Sequence, residues 1–249
     1  MKRIINTILA ILFTATVFAQ GDLLQKANEL YTKDQFKQAI DVYNQILITN
    51  MESPEVYFNL GNAYYKTEQY TQAILNYERA KLLAPDDEDI NFNLQVANQK
   101  VVDSITELPG FFITRWWKSI VNSQTTDGWA MLSIFSFVLF LVMLGFYFFA
   151  KTSDIKRITF WSGCFLIVFA IFSWSFAAQQ KSRLVNHSEA IVMQPTVTVK
   201  SSPSENGTNL FVVHEGLKVK ITDKLGDWVE IKLADGNKGW LLLESIERI

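Results

Sequence analysis

The spacing of apolar residues changes three times along the 249-residue chain. Residues 20–104 repeat apolar positions at intervals of three and four, which predicts amphipathic helices. Residues 129–150 and 158–178 are apolar and contain no charged side chain. From residue 186 onward, apolar and polar residues alternate in short runs between turns, which predicts strands. The pattern therefore predicts a multidomain membrane protein with an all-α part, two transmembrane helices and a small all-β part.

The two uncharged runs are long enough to cross a bilayer. They hold 22 and 21 residues, and as helices each would reach about 32 Å, against a hydrocarbon core of about 30 Å. Residues 151–157 between them are too few for a domain, so we expect a transmembrane hairpin. The charged residues of this turn are three cations and one anion, Lys151, Lys156, Arg157 and Asp154. The excess of cations predicts that the turn is cytoplasmic.

The first 19 residues have the form of a signal peptide. Lys2 and Arg3 precede an apolar run that extends to Phe18, and the residues at positions −3 and −1 of a cut after Ala19 are small. An uncleaved N-terminal anchor is the alternative. An exported N-terminus followed by two spans places both flanking parts of the chain, 20–104 and 179–249, outside the cytoplasm.

Residues 105–128, which precede the first span, are predicted to be an interfacial linker. They contain the sequence Phe-Phe-Ile-Thr-Arg-Trp-Trp-Lys at positions 111–118. Aromatic residues beside cations favour the headgroup layer of a membrane. We therefore expect this segment to lie along the membrane surface.

A spaced motif in the helical part recurs at an interval of 34 residues. Its better copy consists of Tyr57-x-x-Leu60-Gly61-x-x-Tyr64, Ala73-x-x-x-Tyr77, Ala80 and Pro85. A looser copy precedes it, with Leu23, Ala27, Leu30, Phe36, Ala39, Tyr43 and Ile46. This spacing resembles the tetratricopeptide repeat. The resemblance implies an all-α repeat domain over 20–104, with two repeats and a third, incomplete or capping helix.

The same resemblance implies a concave groove lined by the first helix of each repeat. An Asn there can hydrogen-bond an extended peptide backbone, and a Tyr can pack on it. The partner-binding candidates are Asn28, Tyr31, Asn62, Tyr65 and Lys66. Three apolar positions, Leu24, Phe58 and Phe92, fit either the groove or the core between repeats, and core is favoured. The helical part has 7 basic and 13 acidic residues, so we expect a partner with some basic character.

The C-terminal part, 179–249, resembles the bacterial SH3-like domain. The resemblance is carried by His214-Glu215-Gly216, by the run from Asp227 to Leu233 and by the run from Asp235 to Trp240. It implies a small all-β barrel of about five short strands that binds peptidoglycan or a peptide. Trp228 and Trp240 are ligand candidates, although a barrel this small also needs large apolar side chains inside, and we favour core positions for both.

Composition excludes several classes of function. The single cysteine, Cys164, cannot form an internal disulfide or a cysteine-based zinc site. His187 and His214 are the only histidines, and no Ser/His/Asp or Cys/His set is present. We expect no enzymatic activity, no cofactor and no bound metal. The net charge of −2, with no strongly basic segment, argues against nucleic acid as a partner.

The order of parts resembles the BatE proteins of the Bacteroides aerotolerance operons in the Bacteroidota. That order is signal peptide, two repeats, membrane hairpin and SH3-like domain. The resemblance implies a multi-pass protein of the bacterial inner membrane with both end domains in the periplasm. It also implies a role in envelope stress tolerance, beside von Willebrand A-domain membrane proteins of the same operon. We expect an adaptor or scaffold, and the alternative is a peptidoglycan-binding membrane anchor that acts through the SH3-like domain.

Overall fold

The computed structural model describes residues 23–49, 52–103, 105, 112–186 and 188–249. The predicted signal peptide, residues 1–19, and His187 lie outside the described residues. The chain forms two compact units. Residues 1–108 and 188–249 belong to the first, and residues 109–187 form the second.

Five helices make up the N-terminal part of the first unit, called here the repeat domain. They are α1 (residues 23–32), α2 (Phe36–Ile48), α3 (Pro54–Lys66), α4 (Tyr70–Leu83) and α5 (Glu88–Asn98). Ser53 caps α3 by accepting a hydrogen bond from the Val56 amide, and Pro54 takes the first helical position, where no amide hydrogen is needed. Asp87 caps α5 in the same way. Tight turns join α1 to α2 and α3 to α4, each through a residue in the left-handed conformation, Asp34 or Glu68.

Small residues let the paired helices of the repeat domain approach each other. Ala39 on α2 and Ala73 on α4 are fully buried. A Cβ atom added at Gly61 would lie 2.7 Å from the ring of Tyr77. The glycine therefore makes room for a tyrosine that is itself almost completely buried. The interval of 34 residues in the sequence thus corresponds to a repeated packing unit.

The C-terminal part of the first unit, called here the β domain, is one antiparallel sheet of seven strands. In the described residues these are β1 (Glu189–Val192), β2 (Thr196–Lys200), β3 (Asn209–His214), β4 (Lys218–Leu225), β5 (Trp228–Lys232), β6 (Lys238–Leu242) and β7 (Ile246–Arg248). Their order across the sheet is β3-β2-β6-β5-β4-β1-β7. One hydrophobic core takes inward-facing residues from all seven strands. The prediction of about five strands was too low, because β7 has only three residues and its alternation is too short to recognise.

A shared hydrophobic core joins the β domain to the repeat domain. Ile74 of α4 and Val101, just beyond α5, belong to one cluster with Ile191 of β1 and with Ile249. Gly216 of the β domain adopts a φ of +85°, and a Cβ atom added there would lie 2.9 Å from Val101 Cγ2. Only glycine satisfies both the backbone conformation and the close approach.

Polar contacts surround this shared core. Lys218 of β4 lies 2.7 Å from a carboxylate oxygen of Glu78 on α4 and 2.7 Å from one of Glu189. Arg79 pairs with Glu247 at 2.9 Å and also donates to the Arg248 carbonyl. Further links join Asp103 to the amide and ring of His214, and Thr71 to Glu215. The repeat domain and the β domain are therefore fixed to each other by both apolar and polar contacts.

The second unit contains three helices, α6 (Phe112–Asn122), α7 (Thr126–Phe149) and α8 (Ser153–Asn186). Two segments in the described residues, Thr126–Phe149 and Ser153–Ser182, are long and apolar enough to cross a membrane. Their most apolar stretches are only 6% and 28% buried, whereas the core helices of a water-soluble protein are mostly covered. Helix α8 begins inside the predicted turn, where Asp154 suits the positive end of the helix dipole.

Lys218 gives the docking of the two domains a defined pH dependence. Burial alone lowers the pKa of this ammonium group, but the carboxylates of Glu78 and Glu189 outweigh that effect and raise the pKa above its ordinary value of 10.5. A raised lysine pKa contributes stability that is complete below the unfolded-state value and is lost as pH rises through the folded-state value. We expect Lys218→Met to lower the melting temperature of the full chain in detergent by a constant amount from about pH 7 to pH 10, and by less above that.

Lys220→Met is the matched control, because Lys220 is an exposed lysine on the same strand. High pH also ionises tyrosines, but this affects wild type and variants alike and cancels in the difference. Equal melting temperatures for the two variants throughout the pH range would contradict the role given to Lys218.

Candidate functional site

Two surfaces of the first unit contain the predicted site residues. The first is the face formed by α1, α3 and α5, called here the groove, and it holds the five partner-binding candidates. The second is the outer face of the β domain, which holds both tryptophan candidates. Each surface follows from local packing.

A polar network that repeats every 34 residues holds the helices of the groove side by side. Asn28 Oδ1 accepts hydrogen bonds from Tyr43 Oη at 2.6 Å and from Asn59 Nδ2 at 3.2 Å. One repeat later, Asn62 Oδ1 accepts from Tyr77 Oη at 2.7 Å and from Asn93 Nδ2 at 2.8 Å. We call these six residues the asparagine–tyrosine ladder. Asn59 and Asn93 were missed in the sequence, although their 34-residue interval could have revealed them.

Burial of the ladder tyrosines keeps their hydroxyl groups protonated and able to donate. It raises the pKa of Tyr43 to about 12 and raises the pKa of Tyr77 further in the same direction. The Oδ1 atoms of Asn28 and Asn62 are therefore occupied within the domain. A partner in the groove would have to meet these residues through their Nδ2 groups.

The other groove candidates lie along one edge of this surface. Tyr31 packs edge-on against Phe36 with ring centroids 5.2 Å apart, and Tyr65 packs in the same way against Tyr70 at 5.3 Å. Both tyrosines are half-buried, so part of each side chain faces solvent. Lys66, in the last turn of α3, is exposed. These three side chains are accessible to a partner.

The three apolar positions differ from one another. Leu24 packs against the core of the first repeat, and Phe58 packs against the cores next to α4. Phe92 is 66% exposed. The favoured core placement therefore holds for Leu24 and Phe58, whereas Phe92 adds an apolar group to the accessible surface.

A cleft of about 320 Å³ opens between the repeat domain and the β domain. Its lining includes Tyr70 and Lys100 from the repeat domain and Met193 and Glu215 from the β domain. Tyr70 also contacts Tyr65, so the cleft continues the edge of the groove. A ligand that reaches this edge would meet side chains of both domains.

Both tryptophan candidates lie on the outer face of the β domain. Val229 and Ile231 occupy the inward positions of β5, and Gly239 and Leu241 occupy those of β6. The favoured placement of the tryptophans in the core is therefore wrong. Strand alternation forces them outward, because the tightly packed inward positions beside them are already occupied.

Charged side chains surround the two indole rings. Trp240 pairs across the sheet with Lys200 on one side and Glu230 on the other. Lys200 Nζ lies 5.9 Å from the centre of the Trp228 ring, and Glu230 pairs with Lys238 at 3.4 Å. Flat aromatic surface beside hydrogen-bonding groups can stack against a sugar ring or a peptide.

Within the part of the chain that the structure describes, no group of three or more His, Cys, Asp or Glu side chains could hold a metal ion. His214 Nδ1 lies 2.8 Å from Asp103 Oδ1, which fixes the turn against the repeat domain. Cys164 lies half-buried in α8. The chemistry that the site residues offer is that of recognition.

The ladder predicts that Asn62 is needed for stability. In Asn62→Ala the buried Tyr77 hydroxyl loses its acceptor, so we expect the free energy of unfolding to fall by about 1–3 kcal/mol. Tyr77→Phe in the same chain should recover part of that loss, because the stranded hydroxyl is then absent. Lys66→Ala, at an exposed position on the same helix, should change stability by less than about 0.5 kcal/mol. Urea unfolding of the full chain in detergent measures all three, and equal stability of the Asn62 and Lys66 variants would contradict the role of the ladder.

Comparison with protein families assigns both parts of the first unit. The family model of the tetratricopeptide repeat matches residues 54–87, and a second TPR repeat model matches residues 27–67. The family model of the bacterial SH3 domain matches residues 195–247. No curated protein matches the chain. The chain therefore carries tetratricopeptide repeats in its N-terminal part and a bacterial SH3 domain at its C-terminal end.

Proposed function

We propose that this chain is a non-enzymatic adaptor of the bacterial inner membrane, with its repeat domain and its SH3 domain on the periplasmic side. Its role would be to assemble a Bat-type complex for envelope stress tolerance. Tetratricopeptide and SH3-like domains suggest protein–protein or peptidoglycan interaction, which is the coarse basis of the proposal. The finer assignment rests on the BatE-like order of the parts.

The observation that carries the proposal is that domain docking leaves the groove candidates unused. The hydrogen bonds and ion pairs given above between the two domains involve Thr71, Glu78, Arg79 and Asp103 of the repeat domain. None of these is a groove candidate. The SH3 domain contacts the second helix of the repeat, and the face that is suited to a partner keeps its accessible Tyr65 and Lys66.

Docking also supports the membrane topology. The repeat domain precedes α7 and the SH3 domain follows α8, yet both belong to one compact unit. A chain that crosses a membrane between two such domains must cross it an even number of times, which agrees with two spans. The cations of the turn, Lys151, Lys156 and Arg157, favour the cytoplasm for the turn and the periplasm for both domains.

The proposed partners of the groove are von Willebrand A-domain membrane proteins of the same operon. This choice comes from the BatE resemblance. The acidic excess of the repeat domain favours a partner segment with basic residues, and the cleft beside Tyr70 adds the carboxylate of Glu215 to that surface.

A second candidate function is a peptidoglycan-binding membrane anchor. The observation in its favour is the outward position of Trp228 and Trp240, which places two indole rings beside Lys200 and Glu230 on an open sheet face. In this reading the SH3 domain holds the cell wall and the repeats serve to position it.

Point variants test the groove better than deletion of the repeats, because deletion would expose Ile191 and Ile249 of the SH3 domain. We expect Tyr65→Ala with Lys66→Ala to reduce cross-linked capture of partner membrane proteins from intact cells by about tenfold or more, the effect of losing a central contact. Lys37→Ala, an exposed lysine on α2 outside the groove, is the control and should leave capture unchanged. Melting temperatures of the purified chains check that each variant is folded.

Trp228→Ala with Trp240→Ala separates the two functions. Under the adaptor proposal it leaves capture of membrane proteins intact. Capture of wall fragments alone, lost in the tryptophan variant and unchanged in the groove variant, would overturn the adaptor proposal in favour of the wall anchor.

A further inference from the structure

Helix α6 has three distinct faces, and only two of them have an obvious environment. Val121 is fully buried against the hairpin. Lys118 and Ser119 are exposed polar residues. The third face carries Phe112, Ile113 and Trp116, which are 74%, 60% and 64% exposed.

Hydrogen bonds clamp the C-terminal end of α6 to the hairpin. The Val121 carbonyl accepts from Trp129 Nε1 of α7 at 2.8 Å and from Gln180 Nε2 of α8 at 2.6 Å. Gln180 Nε2 also donates to the Gln124 carbonyl at 2.8 Å. The last carbonyls of a helix lack partners within that helix. Here side chains of α7 and α8 satisfy them, as they must where water is scarce.

Apolar contacts strengthen the clamp. Val121, Trp129, Phe176 and Ala177 form a buried cluster. The Trp117 ring meets the Phe176 ring edge-on, with centroids 5.3 Å apart. Helix α6 is thus a fixed third element of the hairpin, and its exposed apolar face has a fixed direction.

The composition of the exposed face matches a membrane surface. Phe112, Ile113 and Trp116 lie within about 100° of arc on an α-helix, and Lys118 and Ser119 lie on the opposite side. Aromatic residues and tryptophan in particular are enriched where the hydrocarbon meets the headgroups. In the same unit, apolar side chains of α7 and α8 such as Phe135 and Trp174 are also largely exposed, so α6 continues an apolar surface.

We propose that α6 binds the surface of the lipid bilayer, with Phe112, Ile113 and Trp116 among the upper acyl chains and Lys118 among the headgroup phosphates. This inference rests on the proposed membrane location of α7 and α8. Because the clamp fixes α6 to both spans, lipid binding by α6 sets the depth at which the hairpin sits. The ends of the spans near Trp129 and Gln180 are then held at the level of the headgroups.

Site-directed spin labelling tests the proposal, because the chain has a single cysteine to remove. In a Cys164→Ser background, one cysteine is introduced at a time by Trp116→Cys, Lys118→Cys or Val138→Cys. Each labelled full chain is reconstituted into vesicles of phosphatidylethanolamine and phosphatidylglycerol. Collision rates with oxygen, which concentrates in hydrocarbon, and with a water-soluble nickel chelate are then compared. Ile113→Cys serves as a second position on the same face as Trp116.

We expect the oxygen-to-nickel ratio at positions 116 and 113 to be several-fold higher than at 118 and lower than at 138, the mid-span reference. Nickel access at 116 and 113 equal to that at 118, with 138 still deep, would overturn the binding of α6 to lipid and leave the spans in place. Protection of 116 and 113 from both reagents would show a protein partner or a second copy on this face, which also overturns it. Nickel access at 138 would overturn the membrane location itself.

Discussion

The hydrophobic cluster around Ile74 is the contact on which the rest of the structure depends. It joins α4 of the repeat domain to Ile191 and Ile249 of the SH3 domain across more than a hundred residues of chain. With the ion pairs of Lys218 and Arg79 around it, this cluster fixes two recognition surfaces in one body. It also requires the intervening segment to return to the side from which it started. An adaptor with a fixed spacing between its two binding surfaces follows from this one contact.

Stability and recognition divide the groove between them. The ladder residues Asn28 and Asn62 hold the first helices at a fixed spacing through their Oδ1 atoms. Tyr65 and Lys66, at the edge of the same face, have less internal work and more solvent exposure. A partner that binds here would therefore gain most from the edge residues and from the cleft beside Tyr70. The rigid ladder beneath them lowers the entropic cost of forming that site.

Much of the fold could be predicted from local patterns, and the failures have physical causes. The 34-residue interval between Gly61 or Tyr77 and the looser copy before them revealed the repeats, because each packing unit recurs at that distance. Trp228 was misplaced because a volume argument about small cores was preferred to the strand alternation, which puts Val229 and Ile231 inside. The docking could not be predicted. Lys218 and Glu78 are separated by 140 residues, and neither residue has a local feature that identifies its partner.

Amide hydrogen exchange on the full chain in detergent tests the single-body account most directly. Ile74→Ala removes side-chain volume from the shared core and should weaken it by about 2–5 kcal/mol. The account predicts that amides of β1 and β7 in the SH3 domain lose protection together with those of α4, whereas Ile40→Ala, in the core of the first repeat, leaves β1 and β7 protected. Loss of protection in α4 alone, with β1 and β7 unchanged in the Ile74 variant, would show two independent domains and contradict the account.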